Sequence, residues 1–250
     1  MMVMSAKAAQ HRERGGPARP RYRLSVPVDR IELQALIRET GRTVGNDKQF
    51  DLLRSYGSKD AYVHFAGDIG LLKKKAVSIV GTRDVSEDGA RRAARLAREL
   101  VGAGVIVMSG LAKGVDTAAL SSARSAGGSL AAVIGTPLQK AYPIENSELQ
   151  TEIADKHLLL SPFAEGEAVF KGNFPKRNRV MALLSDATVI VEASDTSGTL
   201  HQAAECIRQG RWLFILKSVV EDPGISWPQR FLKENRTVVV ENMDDILSRI

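Results

Sequence analysis

Between Ala76 and Asp116 the spacing of apolar positions changes twice. Ala76-Val77-Ser78-Ile79-Val80 is an unbroken, β-branched run closed by Gly81, as expected of a strand buried on both faces. Ala90, Ala93, Ala94, Ala97, Leu100 and Val101 then recur at helical spacing. Ser86 stands where it can cap that helix, and Glu87 and Asp88 suit its positive end. Gly102 and Gly104 close it before a second apolar run, Val105-Ile106-Val107-Met108. Ser109 to Asp116 leaves this strand and opens another helix. The pattern predicts a βαβ unit whose glycine-bearing turns emerge at the carboxyl edge of a parallel sheet, where open α/β sheets bind ligands.

The alternation continues to Ile250. Helices are predicted at 115–125, to about Lys156, from Pro175 to Ser185, from Ser197-Gly198-Thr199 to about Gln209, and from Met243 to Ile250. The intervening strands are Leu130–Ile134, Leu158–Leu160, Thr188–Val191, Trp212–Leu216 and Val238–Val240. Pro175 suits a first helical position. Ala61 to Ala66 alternates like an edge strand, and Val28 to Ser55 predicts two short helices around a polar break. The fold class is therefore α/β: a doubly wound, mostly parallel sheet with a short helical amino-terminal extension. Three parts are expected, a basic disordered tail over 1–24, a small helical extension over 25–58, and the α/β domain over 59–250.

Charge placement adds one feature. Five of the six net positive charges fall in the first 23 residues, where Lys7, Arg12, Arg14, Arg19, Arg21 and Arg23 outnumber Glu13. Such a tail can add nonspecific affinity for nucleic acid, or be only a solvated leader. The remainder is nearly neutral, so a polyanion site on it needs locally clustered cations. A single cysteine, Cys206, and four scattered histidines argue against a zinc site. No metal or cofactor is expected. The absence of a membrane-length apolar run and of a secretory signal predicts a cytoplasmic protein.

Four turns are expected at the carboxyl edge: Gly81-Thr82-Arg83, Ser109 to Asp116 with Gly110, Gly135-Thr136-Pro137, and Glu192 to Thr199 with Ser197 and Gly198. Helix amino ends there offer free N–H groups to phosphate. Neither a Walker A loop nor a G-x-G-x-x-G is present. The sharper feature is Phe174-Pro175-Lys176-Arg177-Asn178-Arg179. Three cations at a helix start repel one another and oppose the dipole, whereas an anion would hold them together. Arginine forks match phosphate oxygens, and a phenyl ring can stack on a base. A buried Phe174 beside a solvated basic turn is the alternative.

Taken together, Gly81-Thr82-Arg83, Ser109 to Asp116, Tyr142-Pro143 with Glu145-Asn146, Phe174 to Arg179 and Ser197-Gly198-Thr199-Leu200 resemble, in order and spacing, the motifs of the DNA-processing protein A family, also called Smf. The resemblance spans roughly residues 61 to 216. It implies an extended Rossmann-like fold that binds single-stranded DNA without chemistry, forms a homodimer, and helps load a RecA-type recombinase during natural transformation. It also implies that Arg83, Lys113, Phe174, Lys176, Arg177, Asn178 and Arg179 hold the strand. The turns carrying Gly81, Thr82, Ser109, Gly110, Gly135, Ser197, Gly198 and Thr199 would supply phosphate-binding groups. The pattern departs from the family in places. Residues 25 to 58 are a small substitute for a larger amino-terminal helical domain, and the 250 residues hold no winged-helix stretch. Leu216-Lys217-Ser218 replaces a Pro-Gly strand exit, and His201-Gln202 replaces an apolar residue and threonine.

Two other functions use the same turns. Phosphoribohydrolases of the LONELY GUY type are similar in fold, with Arg-Lys nine residues before an Asp-Ala strand and then P-G-G-x-G-T-x-x-E. Arg177 keeps that spacing to Asp186-Ala187, but Asn178 stands for the lysine and Gln202 for the glutamate, which removes the expected acid/base group. Glu192 and Glu205 are the substitutes such chemistry would need. A sensor holding a mononucleotide without hydrolysis is the other alternative. Ser109 and Ser197 have no visible base partner, so neither is read as a nucleophile and no catalytic residue is expected.

Overall fold

The structure is a computed structural model that describes residues 22–43 and 60–250. A nine-stranded sheet in the order β1-β2-β6-β5-β4-β3-β7-β8-β9 forms its centre. Its parallel part begins with β3 (Ala76–Val80), whose five residues are all buried. The following helix, Glu87–Gly102, packs beside β4 (Ile106–Ser109), and Val115–Ser125 leads to β5 (Leu130–Val133). Ser147–Lys156 then leads to β6 (Leu158–Ser161). From there the chain crosses back over the sheet. Asn173–Leu184 delivers β7 (Ala187–Ile190) to the other side of β3, and Thr199–Arg208 delivers β8 (Trp212–Leu216). β9 (Thr237–Val240) pairs with β8 and ends the sheet. The strand order therefore reverses between β3 and β7, the crossover at which a crevice opens in sheets of this kind.

Successive residues of each strand feed two separate cores. Ala76 and Val80 of β3 face one, and Val77 and Ile79 face the other. With helices numbered along the chain, α2 (Glu87–Gly102), α3 (Val115–Ser125), α4 (Ser147–Lys156) and α9 (Asp244–Leu247) cover the Val77 side. The opposite side is covered by α1 (Leu33–Glu39), α5 (Asn173–Leu184), α6 (Thr199–Arg208), α7 (Lys217–Val220) and α8 (Trp227–Phe231). The small residues of α2, Ala93 and Ala97, are fully buried and let the helix lie close to the sheet. Ser86 caps it, its Oγ accepting the Gly89 N–H at 3.0 Å. Full burial of Ile79 and Leu100 stabilises this arrangement by roughly 1.5–3 kcal/mol each.

The amino-terminal expectation needs correcting. Asp29–Glu32 is not helical but forms β1, antiparallel to β2 (Tyr62–Gly67), with Ile31 opposite Val63. The reason is tertiary, since β2 pairs with β6 on one edge and would leave its other edge bare without β1. Among the described residues of that extension, only Leu33–Glu39 is helical. The expected second helix around Phe50 and the basic tail through residue 21 lie outside the described residues. Towards the carboxyl end, α9 is shorter than the predicted 243–250, and α7 and α8 lie in the connection between β8 and β9, where no element is predicted. Trp227 anchors α8, its Nε1–H donating to the Ala193 carbonyl at 2.9 Å. Among the described residues no helix is long and apolar enough to cross a membrane.

Cys206 of α6 is fully buried, its thiol donating to the Trp212 carbonyl at 3.1 Å, and burial pushes its pKa up to about 12. A raised folded pKa means that the thiol's contribution to stability is complete below about 9. It is lost as pH climbs from there towards about 12. Iodoacetamide at neutral pH should therefore label Cys206 only as fast as the chain unfolds, which mass spectrometry across a urea series would read; rapid labelling of native protein would contradict this burial.

Candidate nucleic-acid interface

The carboxyl ends of β3, β4, β5 and β7 converge on the amino end of α5, where two adjoining cavities open. One has a volume of about 310 Å³ and the other about 400 Å³. Arg83, Ala112, Phe174 and Arg177 line both, so the two form one trough with a partition. Lys113, Tyr142 and Ile144 add to the first cavity, and Gly81, Thr82, Asn178 and the Ser197-Gly198-Thr199 turn add to the second. In the first, Arg83, Lys113 and Arg177 outnumber Glu145; in the second, Arg83 and Arg177 outnumber Asp116.

The partition is Phe174. Its ring is half-buried rather than sealed, with the Arg83 guanidinium 5.4 Å from its centroid and the Tyr142 ring 5.7 Å away at 46°. The ring lies so close to Gly135 that a Cβ there would sit 2.8 Å from Phe174 Cδ1. Glycine at 135 thus makes room for the aromatic wall. Tyr142, an exposed aromatic at 48 %, was visible only as part of a motif; its place beside Phe174 depends on a contact across 32 positions of sequence.

Arg177 is the buried cation beneath the trough, only 7 % exposed. Its Nη1 donates to the Val133 carbonyl at the end of β5 at 2.8 Å, while Nε has no partner among the described residues. Burial lowers its pKa, the Asp116 charge opposes that shift, and Arg83 adds to it by repulsion. Asp116 lies at the start of α3, where Oδ2 accepts the Gly110 and Ala112 N–H groups at 3.0 and 3.2 Å. Burial raises its pKa, and Arg177 and those two donors pull it back. One carboxylate therefore ties down the loop after β4 and partly neutralises the arginine beneath it. Asn146 pins the same loop from the other side, donating to Leu111 and Ala112 carbonyls.

Not every expected residue reaches the trough. Arg179 points away, its Nε and Nη2 held by Glu205 at 3.2 and 2.9 Å between α5 and α6. It lies two residues beyond Arg177 on a helix, which turns it to a different face. Ser109 is fully buried and spends its hydroxyl on the Ile79 carbonyl at 2.7 Å, so its side chain offers nothing to a ligand. Lys176 is exposed but lines neither cavity, and Lys113 is paired with Glu145 at 2.8 Å at the rim. Ser197 accepts the Thr199 N–H at 3.2 Å, which leaves Gly198 at the amino end of α6. The carboxylates considered for acid/base work are engaged elsewhere. Glu192 accepts from Ser86 and Arg92, Glu205 from Arg179 and Arg208, and neither lines the trough.

Fold and site together define a doubly wound, Rossmann-like α/β protein with cations and an aromatic gathered at its strand crossover. A family model, DNA recombination-mediator protein A, matches residues 43–250, and the chain belongs to that family. It is 38% identical over 184 residues to the DNA processing protein DprA of Streptococcus pneumoniae, covering 74% of this chain and 64% of that protein. Against DprA of Bacillus subtilis it is 31% identical over 196 residues, covering 78% of this chain and 66% of the relative. The chain thus spans just under two thirds of these relatives. The X-ray structure of the Streptococcus pneumoniae protein superposes with a TM-score of 0.72 at 29% identity, over 92% of this chain and 76% of that one. DNA processing protein A from Helicobacter pylori, whose structure is described as giving insight into its single-stranded DNA binding mode, superposes with a TM-score of 0.71 at 26% identity. That match covers 90% of this chain and 96% of the other.

The berth of Arg177 gives a test. A Cβ at Gly110 would lie 1.6 Å from its Nη1, so Gly110→Ala should displace this buried guanidinium from the Val133 carbonyl. Loss of a charge-assisted hydrogen bond of this kind costs ~1.5–3 kcal/mol. Urea denaturation should show a destabilisation of that order, whereas an unchanged midpoint would mean that Arg177 is not held as described.

Proposed function

We propose that the protein binds single-stranded DNA in the trough, without chemistry on the strand. The observation that carries this reading is the convergence of Arg83, Arg177 and Phe174 on a wall shared by two cavities. Two guanidiniums that repel each other, only one of them offset by Asp116, favour an anion between them, and the aromatic beside them accepts a base irrespective of sequence. Arg83 and Lys113 would meet phosphates at the rim, and the exposed Lys176 would extend the track. Gly110, Gly135 and the Ser197-Gly198-Thr199 turn would let the backbone approach closely. Membership of the recombination-mediator family and the single-stranded DNA binding described for the Helicobacter pylori protein support the reading. Hand-over of the strand to a RecA-type recombinase during DNA uptake, action as a homodimer and a cytoplasmic location complete the proposal.

Each phosphate contact to a single strand contributes about 0.7 to the slope of log affinity against log salt. Arg83→Ala should therefore weaken binding of a fluorescent oligothymidine about tenfold and flatten that slope by about 0.7. Phe174→Ala should cost ~1–3 kcal/mol per base unstacked. Arg179→Ala should leave affinity within about twofold while lowering the melting temperature, because Arg179 serves α6 and not the trough. Fluorescence anisotropy at two salt concentrations reads all three. Binding insensitive to both salt and Arg83 would overturn the proposal.

A further inference from the structure

The second cavity, at the β3–β7 crossover, holds a buried acceptor that the DNA reading does not use. It ends against α6, a ten-residue helix whose amino end at Gly198 brings a partial positive charge to the wall. Its floor contains Gln202, which is 1 % exposed. Gln202 Nε2 donates to Thr188 Oγ1 at 3.2 Å, and its Oε1 has no partner among the described residues. A buried acceptor left without a donor is destabilising, so the floor is short of one hydroxyl or amine. Arg177 lines the same wall, its Nε without a partner among the described residues, and Arg83 lines the cavity from its exposed turn. Val80, Met181 and Phe174 supply apolar surface between these polar ends.

A ligand that satisfies all of this carries an anion at one end, hydroxyls in the middle and a flat apolar group. Nucleotides within a DNA strand can offer an acceptor only base amino and imino groups, because their sugars have no free hydroxyl. A free ribonucleotide offers one. The volume of about 400 Å³ lies within the ~300–1,000 Å³ range of small-molecule pockets. We propose that this cavity is a small-molecule site for a nucleoside 5′-monophosphate. Its phosphate rests at Gly198 and Arg83, and a ribose hydroxyl donates to Gln202 Oε1. The site does not depend on DNA binding, although it shares Arg83, Phe174 and Arg177 with the trough. A neutral amide at position 202 suits binding, because a carboxylate buried there would repel the phosphate.

Calorimetric titration of the full chain with adenosine 5′-monophosphate, its 2′,3′-dideoxy analogue and adenosine tests this. One molecule of the monophosphate should bind per chain, at least tenfold more tightly than either of the other two. Gln202→Met should erase the preference over the dideoxy analogue, and Arg83→Ala, at an exposed position that the fold does not need, should weaken binding at least tenfold. Absence of binding, equal binding of the three probes, or a preference that survives Gln202→Met would overturn the proposal. Should Gln202→Met fail to fold by circular dichroism, the three-probe comparison and Arg83→Ala decide, and unchanged affinity in the latter overturns it. An oligothymidine titration of the same preparation separates the two readings. Oligonucleotide bound without the monophosphate removes this inference alone, and the reverse removes the DNA proposal alone.

Discussion

A guanidinium buried at the meeting of two cavities is the constraint on which this site depends. Arg177 is kept charged and in place by the Val133 carbonyl and the field of Asp116, and it fits only because Gly110 has no side chain. Asp116 in turn holds the loop after β4 through two backbone N–H groups. Charge, loop and cavity are thus one unit. Removing one member of such a buried arrangement leaves the others unsatisfied, which is why its cost exceeds that of a surface ion pair.

Arg83 and Arg179 show how the same residue type serves different ends. Arg83 is exposed and rests over Phe174 in a cation–π contact. Arg179 is half-buried and held by both carboxylate oxygens of Glu205, so it joins α5 to α6. The cationic cluster in the sequence therefore divides into one buried anchor, one structural clamp and one solvated lysine. Arg83, from a different turn, adds an exposed guanidinium.

The strand crossover sets where these parts meet. β3 is flanked by β4 and β7, and the connections leaving β3 and β7 lie on opposite sides of the sheet, with α2 on one face and α6 on the other. The crevice between them is open because neither connection covers it. This places the Gly81 and Gly198 turns, 117 positions apart in sequence, on one cavity wall.

Apolar periodicity alone was enough to locate the parallel strands and their helices, because burial on two faces demands unbroken apolar runs, and helices on a sheet demand a narrow small-residue face. Glycines at 81, 110 and 135 and the Phe174–Arg179 cluster were legible for the same local reason. Pairing was not. That Asp29–Glu32 becomes a strand depends on the bare edge of β2, and that Tyr142 stands against Phe174 depends on two loops meeting. Which of Arg177 and Arg179 faces the trough was settled by the rotation of α5 against α6, and the unmet acceptor of Gln202 by its contact with Thr188. Local chemistry is written in consecutive residues, whereas orientation and satisfaction of polar groups arise only when distant segments pack.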